Sequence, residues 1–419
     1  MTKIKPLIQL REMIAAALSS MTNLSKTFRT FIIETMELYL TSSGRMNFTQ
    51  MARCGNSCES RFRQNFKKHF DWLSFNRHFL SPMMGHRIAI GIDPCFIPKA
   101  GKKTPGVDWF WSGCAGAIKH GLEILGLSVV DADAKDAVFL KAEQTFTSKV
   151  RGRKPKCTKG MEDPDSLTGW YLRMLCRISK QLLSICNLIV ADAYFSKESF
   201  VSGVKELGFN IISRFRDDVN LKYLYRGPKA KKRGRPQKFV GKVDLKHLDM
   251  NIFKEEYSVD DKLVYKLYTA DVWAVSLGRE VRVVIVDYLD TDKRTQARKV
   301  FFSTDLTISA RDIFDIYRTR FQLEFVFRDA KQFTGLTHCQ ARNKEALAFA
   351  FNASLSSVNV ARAYARQQGH NLSVGSTKTL LHNAAMVDRF IAMSAKHANL
   401  RLNNTDFKEL LFYGVRAVA

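Results

Sequence analysis

The chain has 419 residues, of which 46% are hydrophobic and 25% are charged. This ordinary globular composition excludes a mainly disordered, collagenous or coiled-coil protein, and the length predicts two or three domains. Lys and Arg number 66 against 40 Asp and Glu, which gives a formal net charge of +26. Because so positive a chain attracts polyanions and repels its own copies, nucleic acid is the first partner to consider.

The eight cysteines are scattered, and the one close pair, Cys54 and Cys58, has no second pair that would complete a zinc site. We expect reduced thiols. Near the amino end, Arg11 and Glu12 interrupt an apolar stretch that would otherwise resemble a secretion signal. Since no uncharged apolar stretch of about 18 residues occurs elsewhere, we expect a soluble, cytoplasmic protein without membrane association.

Residues 1–85 carry apolar side chains at three- and four-residue spacing, as in Phe31, Ile32, Met36 and Leu40. This spacing predicts helices. A small helical DNA-binding domain fits the pattern, and a solvated basic face on an ordinary helical domain would look the same. The basic residues on the polar faces are Arg53, Arg61, Arg63, Lys67, Lys68 and Arg77.

Residues 86–217 alternate short apolar strands with helices, which predicts the first part of a mixed α/β core. The strand HRIAIGIDPCFIPK has Asp93 at its centre, and the strand in NLIVADAYFS ends on Asp192. Between them, GLEILGLSVVDADAKDAVFLKAEQTF predicts two strands joined by a polar turn, and residues 166–186 predict a helix. A second helix, closed by Gly208, leads to the strand FNIISRF.

Three further segments complete the expected organisation. Residues 218–304 are rich in alternating strands and predict a β-domain inserted into the core. Residues 305–364 return to a helical pattern and form the second part of the core. Residues 365–419 contain two more helices, which we expect to be where two copies of the chain meet.

The segment 311–335, RDIFDIYRTRFQLEFVFRDAKQFTG, has the most informative pattern. On one helix, five long polar side chains would share a single stripe. Aromatic flanks predict that much of this helix is buried. The stripe is explained either by ordinary i, i+4 salt bridges or by a metal-binding carboxylate whose basic neighbours hold phosphates. Its members are Tyr317, Arg320, Glu324, Arg328 and Lys331.

Four of these residues stand at fixed intervals: Tyr317, two residues, Arg320, three residues, Glu324, six residues, Lys331. In this Y-(2)-R-(3)-E-(6)-K pattern the chain resembles the bacterial DDE transposases of the insertion-sequence-four family. Two upstream aspartates at strand positions belong to the same pattern, and Asp93 and Asp192 supply them. The resemblance covers residues 87 to 345.

The resemblance implies an RNase H-like catalytic core and a catalytic, metal-binding trio of Asp93, Asp192 and Glu324. Phosphodiester cleavage and strand transfer use two divalent ions about 4 Å apart, one activating the attacking oxygen and one stabilising the leaving oxygen. Carboxylate oxygens suit Mg²⁺, for which Mn²⁺ would substitute. Asp93 would bridge both ions, Asp192 would bind one of them, and Glu324 the other.

The remaining residues of the signature segment are expected to contact DNA. Lys331 and Arg320 are the expected phosphate ligands, and Tyr317 would orient a phosphate through its hydroxyl group. Arg328 either does the same or pairs with a neighbouring acid.

Other carboxylates near strand ends have simpler explanations. Asp131, Asp133 and Asp136 lie in a predicted turn, where aspartate is favoured for its backbone hydrogen bonds. Glu198, six residues past Asp192, fits a solvated position in the first turn of a helix. Asp93 and Asp192 differ from these carboxylates only because they occur together with the helical signature around Glu324.

Two basic segments are further candidate DNA contacts. RGRKPKCTKG includes Arg151 and Arg153, and KAKKRGRPQK includes Arg233 and Arg235. The second pair belongs to an R-G-R-P sequence, the core of an AT-hook that lies along a narrow minor groove, although a flexible loop that neutralises phosphates would have the same composition. Either alternative predicts DNA binding that weakens as salt rises.

Similar transposases use a tryptophan of the β-insertion to receive a base that is flipped out when a DNA hairpin forms. Trp273 is the tryptophan in the expected insertion of this chain, with a buried strand position as the alternative. Trp109 and Trp111 are lesser candidates.

Together these features predict a DNA transposase that binds double-stranded DNA at the ends of its own insertion sequence as a homodimer. It would cleave the ends by two-metal hydrolysis and join the 3′-hydroxyl groups to target DNA. The resemblance implies a cut-and-paste pathway with hairpin intermediates in a nucleoid-associated bacterial protein. The alternatives are a domesticated, non-catalytic DNA-binding regulator, against which the intact trio argues, and an RNase H-like nuclease that cuts without joining.

Overall fold

The computed structural model describes residues 4–80, 85–101, 103–146, 166–228, 236–260, 263–289, 295–393 and 405–415. Within these ranges, helices precede and follow a large sheet along the chain. This confirms the predicted fold class, a mixed α/β core with helical terminal regions. In the same ranges, no helix combines the length and the apolar character that crossing a membrane requires.

The sheet contains twelve strands. In chain order they are β1 Ile88–Pro98, β2 Asp108–Ser112, β3 Ala117–Asp131, β4 Asp136–Gln144, β5 Leu188–Val190, β6 Asn210–Arg214, β7 Leu221–Leu224, β8 Phe239–Lys242, β9 Lys254–Asp260, β10 Leu263–Ala274, β11 Arg279–Leu289 and β12 Thr295–Ser303. Across the sheet the order is β2-β3-β1-β5-β6-β12-β11-β10-β7-β8, with β4 paired to β3 and β9 to β10.

Helices precede, interrupt and follow the strands. They are α1 Lys5–Ser19, α2 Lys26–Thr41, α3 Phe48–Cys54, α4 Glu59–Asn65, α5 Trp72–Arg77, α6 Leu167–Leu183, α7 Glu198–Glu206, α8 Ala310–Thr319, α9 Gln322–Gln332, α10 Lys344–Gln367, α11 Val374–Met393 and α12 Thr405–Phe412.

The amino-terminal helices pack onto the carboxyl-terminal half of the chain. Ser25 and Asn47 cap α2 and α3 by accepting hydrogen bonds from backbone amides. The ring of Phe349 on α10 lies 4.4 Å from that of Phe66 and 5.0 Å from that of Trp72. Aromatic contacts at the end of α4 and on α5 therefore hold this part of the amino-terminal region against α10.

Helix α10 covers the outer edge of strand β4. Asn352 Oδ1 accepts a hydrogen bond from the backbone N–H of Ala142 at 2.8 Å, and its Nδ2 donates to the carbonyl of the same residue at 2.9 Å. Asn359 makes the same two bonds with Phe139, at 3.1 and 2.8 Å. The two amide side chains thus satisfy edge backbone groups that would otherwise be buried and unpaired.

The predicted single helix over residues 311–335 is interrupted. α8 ends one residue before Arg320, and α9 begins one residue after Phe321. Both junction residues keep right-handed helical dihedral angles, but the amide of Phe321 bonds the carbonyl of Arg318 in a tighter, 3₁₀-like turn. The segment is therefore divided into two helices with Arg320 at their junction, and the single polar stripe stays a prediction.

Strands from the expected insertion join the core sheet. β12 pairs antiparallel with core strand β6, where Phe302 lies opposite Ser213, and β11 and β10 follow outward from β12. The described strands of the segment 218–304 therefore continue the core sheet. That they form a separate domain stays a prediction, as do the other domain boundaries.

Candidate active site

Asp93 lies in the middle of β1, between β3 and β5 in the sheet. Its partner across the strand pair is Gly126, and a side chain added at Gly126 would meet the ring of Phe327 on α9. A side chain added at Gly91, two residues before Asp93, would meet Leu323 on the same helix. Since residues two apart on a strand share a face, Asp93 lies on the sheet face that α9 covers.

Asp192 follows β5, which runs parallel to β1. Gly91 and Val190 form a register pair, so Asp93 and Asp192 each lie two residues beyond it. Adjacent strands are about 4.8 Å apart, which brings Asp93, in the middle of β1, close to Asp192, just past the end of β5. Asp192 also begins a short 3₁₀-helix, because its carboxylate accepts a hydrogen bond from the amide of Tyr194 at 2.9 Å.

Glu324 lies in the first turn of α9, and Arg320 joins it to Asp93. The Nη1 atom of Arg320 is 3.2 Å from Asp93 Oδ1, and its Nη2 atom is 3.4 Å from Glu324 Oε1. The side chains of Arg320 and Asp93 are 12% and 14% exposed, whereas that of Glu324 is 43% exposed. One guanidinium group thus contacts two predicted catalytic carboxylates that are far apart in the sequence.

The surroundings of Asp93 raise its pKa to about 7. Burial is the largest cause, because it removes the water that would solvate the carboxylate. The charge of Arg320 opposes this rise, and the negative charges of Asp192, Glu324 and Glu123 add to it. The predicted trio is therefore electrostatically coupled, together with a fourth carboxylate that the sequence analysis did not include.

Tyr317 flanks Arg320 on the α8 side of the junction. Its ring centre lies 4.7 Å from that of Phe301 and 5.9 Å from the guanidinium carbon of Arg320. Burial raises the pKa of the Tyr317 hydroxyl group, and Arg320 opposes the rise. The hydroxyl group therefore stays protonated near neutral pH and can donate a hydrogen bond to a phosphate oxygen.

Lys331 and Arg328, the other two residues of the segment, differ in their contacts. Lys331 interacts with the thiol of Cys95, two residues beyond Asp93 on β1; burial raises the pKa of that thiol to about 11, and Lys331 opposes the rise. Arg328 is 55% exposed and lies 3.2 Å from Asp329. Lys331 thus lies along the strand of Asp93, while Arg328 pairs with an acid, which was one of its two predicted roles.

The predicted DNA contacts outside this segment lie elsewhere. Trp273 is on β10, with four strands between β10 and β1, and the ammonium group of Lys238 is 3.3 Å from its ring centre. The indole is thus half-buried beneath a cation. Four other predicted contacts fall outside the described residues: Arg151, Arg153, Arg233 and Arg235.

The rival carboxylates all have structural partners. Asp131 accepts hydrogen bonds from two amides of the β3–β4 turn, at 2.8 and 3.0 Å. Asp133 lies 3.4 Å from Arg87, and Asp136 lies 3.1 Å from an arginine of α10. Glu198 accepts a hydrogen bond from a serine one turn further along α7, at 2.6 Å. These contacts agree with the turn and helix explanations of these residues.

Arg214, on β6, was missed by the sequence analysis. It lies close enough to Tyr317 to lower the pKa of that hydroxyl group against the effect of burial. In the described part of the chain, the buried Nε atoms of Arg214 and Arg320 have no hydrogen-bond partner. Because a buried donor without a partner is costly, both groups are suited to a ligand oxygen. A single arginine at the end of the strand FNIISRF gave no signal of this.

Glu123, on β3, was also missed. Glu123 is only 5% exposed. Its carboxylate accepts hydrogen bonds from the hydroxyl groups of Tyr171 at 2.6 Å and Thr145 at 2.9 Å. Burial raises the pKa of Glu123, and the two hydroxyl groups oppose the rise. Its carboxylate adds to the acidic character of the sheet around Asp93.

The donor chemistry of the site suits a divalent metal ion, since carboxylate oxygens are hard ligands. Within the described ranges, however, no group of three His, Cys, Asp or Glu side chains is arranged to hold an ion. Arg320 instead supplies positive charge to Asp93 and Glu324. Glu324 is exposed enough to change its side-chain rotamer without disturbing the core.

Comparison with known protein families gives two matches. A family model described as DDE superfamily endonuclease matches residues 30–251, more than half of the chain. A second, described as Transposase DDE domain, matches residues 176–360. The first range includes Asp93 and Asp192, and the second includes Asp192 and Glu324. A search of curated proteins found no match.

Proposed function

Because this chain belongs to the DDE superfamily of endonucleases, we propose that it is a cut-and-paste DNA transposase of the insertion-sequence-four family. It binds the ends of its own insertion sequence, cleaves them, and joins the 3′-hydroxyl groups to target DNA. DNA hairpins are the proposed intermediates of cleavage. Asp93, Asp192 and Glu324 are the proposed catalytic residues.

The observation that supports this site most strongly is the junction between α8 and α9. The turn at Arg320 directs one guanidinium group to Asp93 on a central strand and to Glu324 on the following helix. The parallel register of β1 and β5 supports the third member, since it leaves Asp192 beside Asp93. Ordinary i, i+4 pairing accounts for the contact between Arg320 and Glu324, but not for the contact with Asp93.

Enzymes of the DDE superfamily use divalent metal ions, and we propose that Asp93, Asp192 and Glu324 hold two Mg²⁺ ions here, for which Mn²⁺ substitutes. When bound, such ions supply an activated attacking oxygen and a stabilised leaving oxygen. The chain's own task is then to keep three carboxylates on one sheet face and to bind the phosphates around the scissile bond.

Phosphate binding is assigned to the donors around the carboxylates. Arg320 and Arg214 each have a buried Nε donor that no acceptor in the described residues satisfies. Tyr317 offers a protonated hydroxyl group beside Arg320, and Lys331 lies along β1 past Asp93. These four groups would orient the DNA backbone and offset its negative charge at the site.

Binding of the element ends is assigned to the basic surfaces of the chain. The net charge of +26 supports strong, salt-dependent attraction to DNA. The amino-terminal helices, the two basic segments with Arg151, Arg153, Arg233 and Arg235, and Trp273 remain proposed contacts.

Dimerisation is assigned to the carboxyl-terminal helices. Two ends must be held and cut together, so a second copy of the chain is required. On α11, Met386 is 54% exposed and Phe390 is 68% exposed. These residues are four apart and therefore share one face of the helix, which gives an apolar surface for a partner copy.

The test uses purified protein, a labelled duplex that carries the terminal sequence of the element encoding the chain, and Mg²⁺. We expect Glu324→Gln to abolish cleavage while end binding stays within a few-fold of wild type. Glu198→Gln is the matched control, because it alters a carboxylate that pairs within α7, and it should cleave normally. Wild-type cleavage by Glu324→Gln would refute the site.

The products separate the proposed activity from its two alternatives. Excision followed by insertion into a target plasmid identifies a transposase. Nicking without joined product would identify an RNase H-like nuclease. End binding without nicking under any divalent metal would identify a non-catalytic regulator. Hairpin ends, if they form, are seen as closed products on a denaturing gel.

A further inference from the structure

A cavity of about 650 Å³ lies where the residues after α2, the end of α9 and the start of α11 come together. This volume is in the range of small-molecule sites. Gln332 and Phe333, at the end of α9, line the cavity. Glu324 is eight residues before Gln332, which corresponds to about 12 Å along the helix axis. The cavity is therefore separate from the proposed catalytic carboxylates, at the other end of the helix that carries Glu324.

Lys378 brings a positive charge to this cavity. Its ammonium group donates a hydrogen bond to the backbone carbonyl of Phe333 at 2.6 Å, and burial lowers its pKa to about 8. Among the described residues that line the cavity there is no Asp or Glu. An ammonium group can donate three hydrogen bonds, and a cation that is buried without an anion is costly. Lys378 is therefore suited to an anionic ligand.

The hydroxyl group of Ser42 gives a second indication of a ligand. Ser42 follows α2, lines the same cavity and is 4% exposed. In the part of the chain that the structure describes, its Oγ atom makes no hydrogen bond. Because a buried polar group without a partner is costly, an acceptor atom on a ligand would remove this cost. This observation does not depend on the charge of Lys378.

The start of α11 adds backbone donors. The Oγ atom of Ser373 accepts a hydrogen bond from the amide of Ser376 at 3.1 Å, but the first amides of a helix have no acceptor within it. Gly375, in the first turn of α11, lines the cavity. A side chain added at Gly375 would come within 2.7 Å of the ring of Phe333, so the glycine lets α11 approach the end of α9. An anion in the cavity would therefore also be stabilised by the N-terminus of α11.

His338, which lines the cavity as well, is a further donor. Its Nδ1 atom accepts a hydrogen bond from the backbone amide of Met46 at 3.2 Å, so the neutral ring carries its proton on Nε2. Burial lowers the pKa of His338, and the charges of Arg45 and Lys378 lower it further. His338 therefore stays neutral at pH 7 and offers one N–H group to a ligand.

We propose that this cavity binds a phosphate group through Lys378, Ser42, His338 and the first amides of α11. These donors come from three segments of the chain around the cavity, which suits a tetrahedral phosphate better than a planar carboxylate. The phosphate comes either from the backbone of bound DNA or from a free phosphate compound, and the two sources share this chemistry. Because the site is distant from the carboxylates of the cleavage site, the inference goes beyond the proposed function.

The first experiment measures thermal unfolding of the full chain in EDTA while inorganic phosphate replaces chloride at constant ionic strength. A ligand that binds only the folded chain raises the unfolding temperature in a saturable way. We expect this for wild type. Lys378→Met should abolish the response, and Ser42→Ala should weaken phosphate binding about tenfold. Both variants should remain folded, because neither removes an ion pair or a hydrogen bond of Ser42 Oγ among the described residues.

Lys99→Met is the matched control. Burial also lowers the pKa of Lys99, and its ammonium group also donates to a backbone carbonyl, that of Cys339. Lys99 follows β1 and is not part of the cavity lining. Lys99→Met removes the same charge from the chain as Lys378→Met does, so it should respond to phosphate as wild type does.

A second experiment identifies the source of the phosphate. Binding of a labelled duplex to the same proteins is measured by fluorescence anisotropy in EDTA, so that no cleavage occurs. If DNA supplies the phosphate, Lys378→Met should bind the duplex about tenfold more weakly than Lys99→Met does. If a free phosphate compound is the ligand, the two variants should bind the duplex equally, while only Lys99→Met keeps the response to inorganic phosphate.

Three results would each overturn the inference: no saturable stabilisation of wild type by phosphate, an equal loss of the response in both lysine variants, or unchanged phosphate binding in Ser42→Ala. An equal loss would show a general attraction of anions to a positive chain. The proposed function is judged separately by cleavage in Mg²⁺. If wild type cuts and Glu324→Gln does not, a negative phosphate result rejects only the site in this cavity.

Discussion

Replacing Arg320 by methionine tests the construction of the candidate site directly. The variant removes the guanidinium group that lies 3.2 Å from Asp93 and 3.4 Å from Glu324, and it keeps an apolar side chain that can fill much of the space. Asp93, which is 14% exposed, then loses its nearby positive charge while Asp192 and Glu324 still repel it.

The size of the effect follows from the burial of each partner. Removing one member of a buried ion pair costs about 3 to 5 kcal/mol. Glu324 is 43% exposed, so its contact with Arg320 contributes at most about 1 kcal/mol, as a surface pair does. Removal also relieves the buried Nε donor of Arg320, which has no acceptor among the described residues. We therefore expect the free energy of unfolding in EDTA to fall by about 2 kcal/mol.

Divalent metal should reverse part of this loss. Arg320 and a metal ion would compete for the same carboxylate oxygens, so carboxylates released from Arg320 should bind Mg²⁺ more tightly. A ligand that binds the folded chain but not the unfolded chain raises the free energy of unfolding. We expect Mg²⁺ to stabilise Arg320→Met more than it stabilises wild type, by about 1 kcal/mol, which corresponds to roughly a fivefold difference in affinity.

The measurement is urea unfolding of both proteins in EDTA and in Mg²⁺. Arg318→Met, which alters an exposed arginine near the end of α8, is the matched control and should change the free energy of unfolding by less than about 0.5 kcal/mol. Equal stabilisation of Arg320→Met and wild type by Mg²⁺ would show that Arg320 does not occupy the position of a metal ion. No destabilisation in EDTA would contradict the buried ion pair itself.

Three further predictions concern other parts of the structure. Asn352→Leu should lower the free energy of unfolding by about 3 kcal/mol in urea titrations, because it leaves both backbone groups of Ala142 unpaired; a loss below about 1 kcal/mol would contradict the edge-capping role. Burial lowers the pKa of Lys378 from 10.5 to about 8, so the unfolded chain holds a proton that the folded chain releases between these pH values, and stability should rise with pH across that window. Below pH 8 Lys378 is protonated in both states, so the folded chain bears the full cost of burying its ammonium group. Lys378→Met should therefore raise the free energy of unfolding at pH 7 by about 1 to 2 kcal/mol and remove the increase of stability with pH. An increase that persists in the variant would exclude Lys378 as its source. Arg214→Met should reduce cleavage about tenfold if its buried Nε binds phosphate, while the exposed neighbour Arg216→Met should cleave as wild type; equal cleavage by both would exclude Arg214 from the site.

Local signals predicted much of the core. The polar turn between two apolar runs predicted the β3–β4 hairpin. Gly208 predicted the end of α7, and its backbone adopts a φ of +90° there. The aspartates were predictable because each follows a buried apolar run. Helical spacing also predicted the amino-terminal and carboxyl-terminal helices, since each buries one apolar stripe.

Non-local contacts decided what local signals could not. An asparagine in a helix is equally compatible with a side chain that faces water and one that bonds strand β4. The sequence therefore does not predict the capping role of Asn352. The exposure of Trp109 and Trp111 was equally hidden, because alternation predicts two faces but not which one is covered. The turn at Arg320 was hidden as well, since none of its neighbours is a glycine or a proline and a 3.6-residue period fits both sides of it.

At the junction of α8 and α9, Arg320 contacts one carboxylate on a strand and one on a helix. A continuous helix would carry Arg320 and Glu324 on one stripe and explain their contact fully, with no need for Asp93. Helix α8 packs against β6, β10, β11 and β12 as well as β3, whereas α9 packs against β4, β1 and β3. Arg320, at the junction of the two helices, contacts Asp93 on β1. Leu323 and Phe327 of α9 fill the space above Gly91 and Gly126, so the absence of two side chains on the sheet lets α9, which carries Glu324, lie close to the strand that carries Asp93.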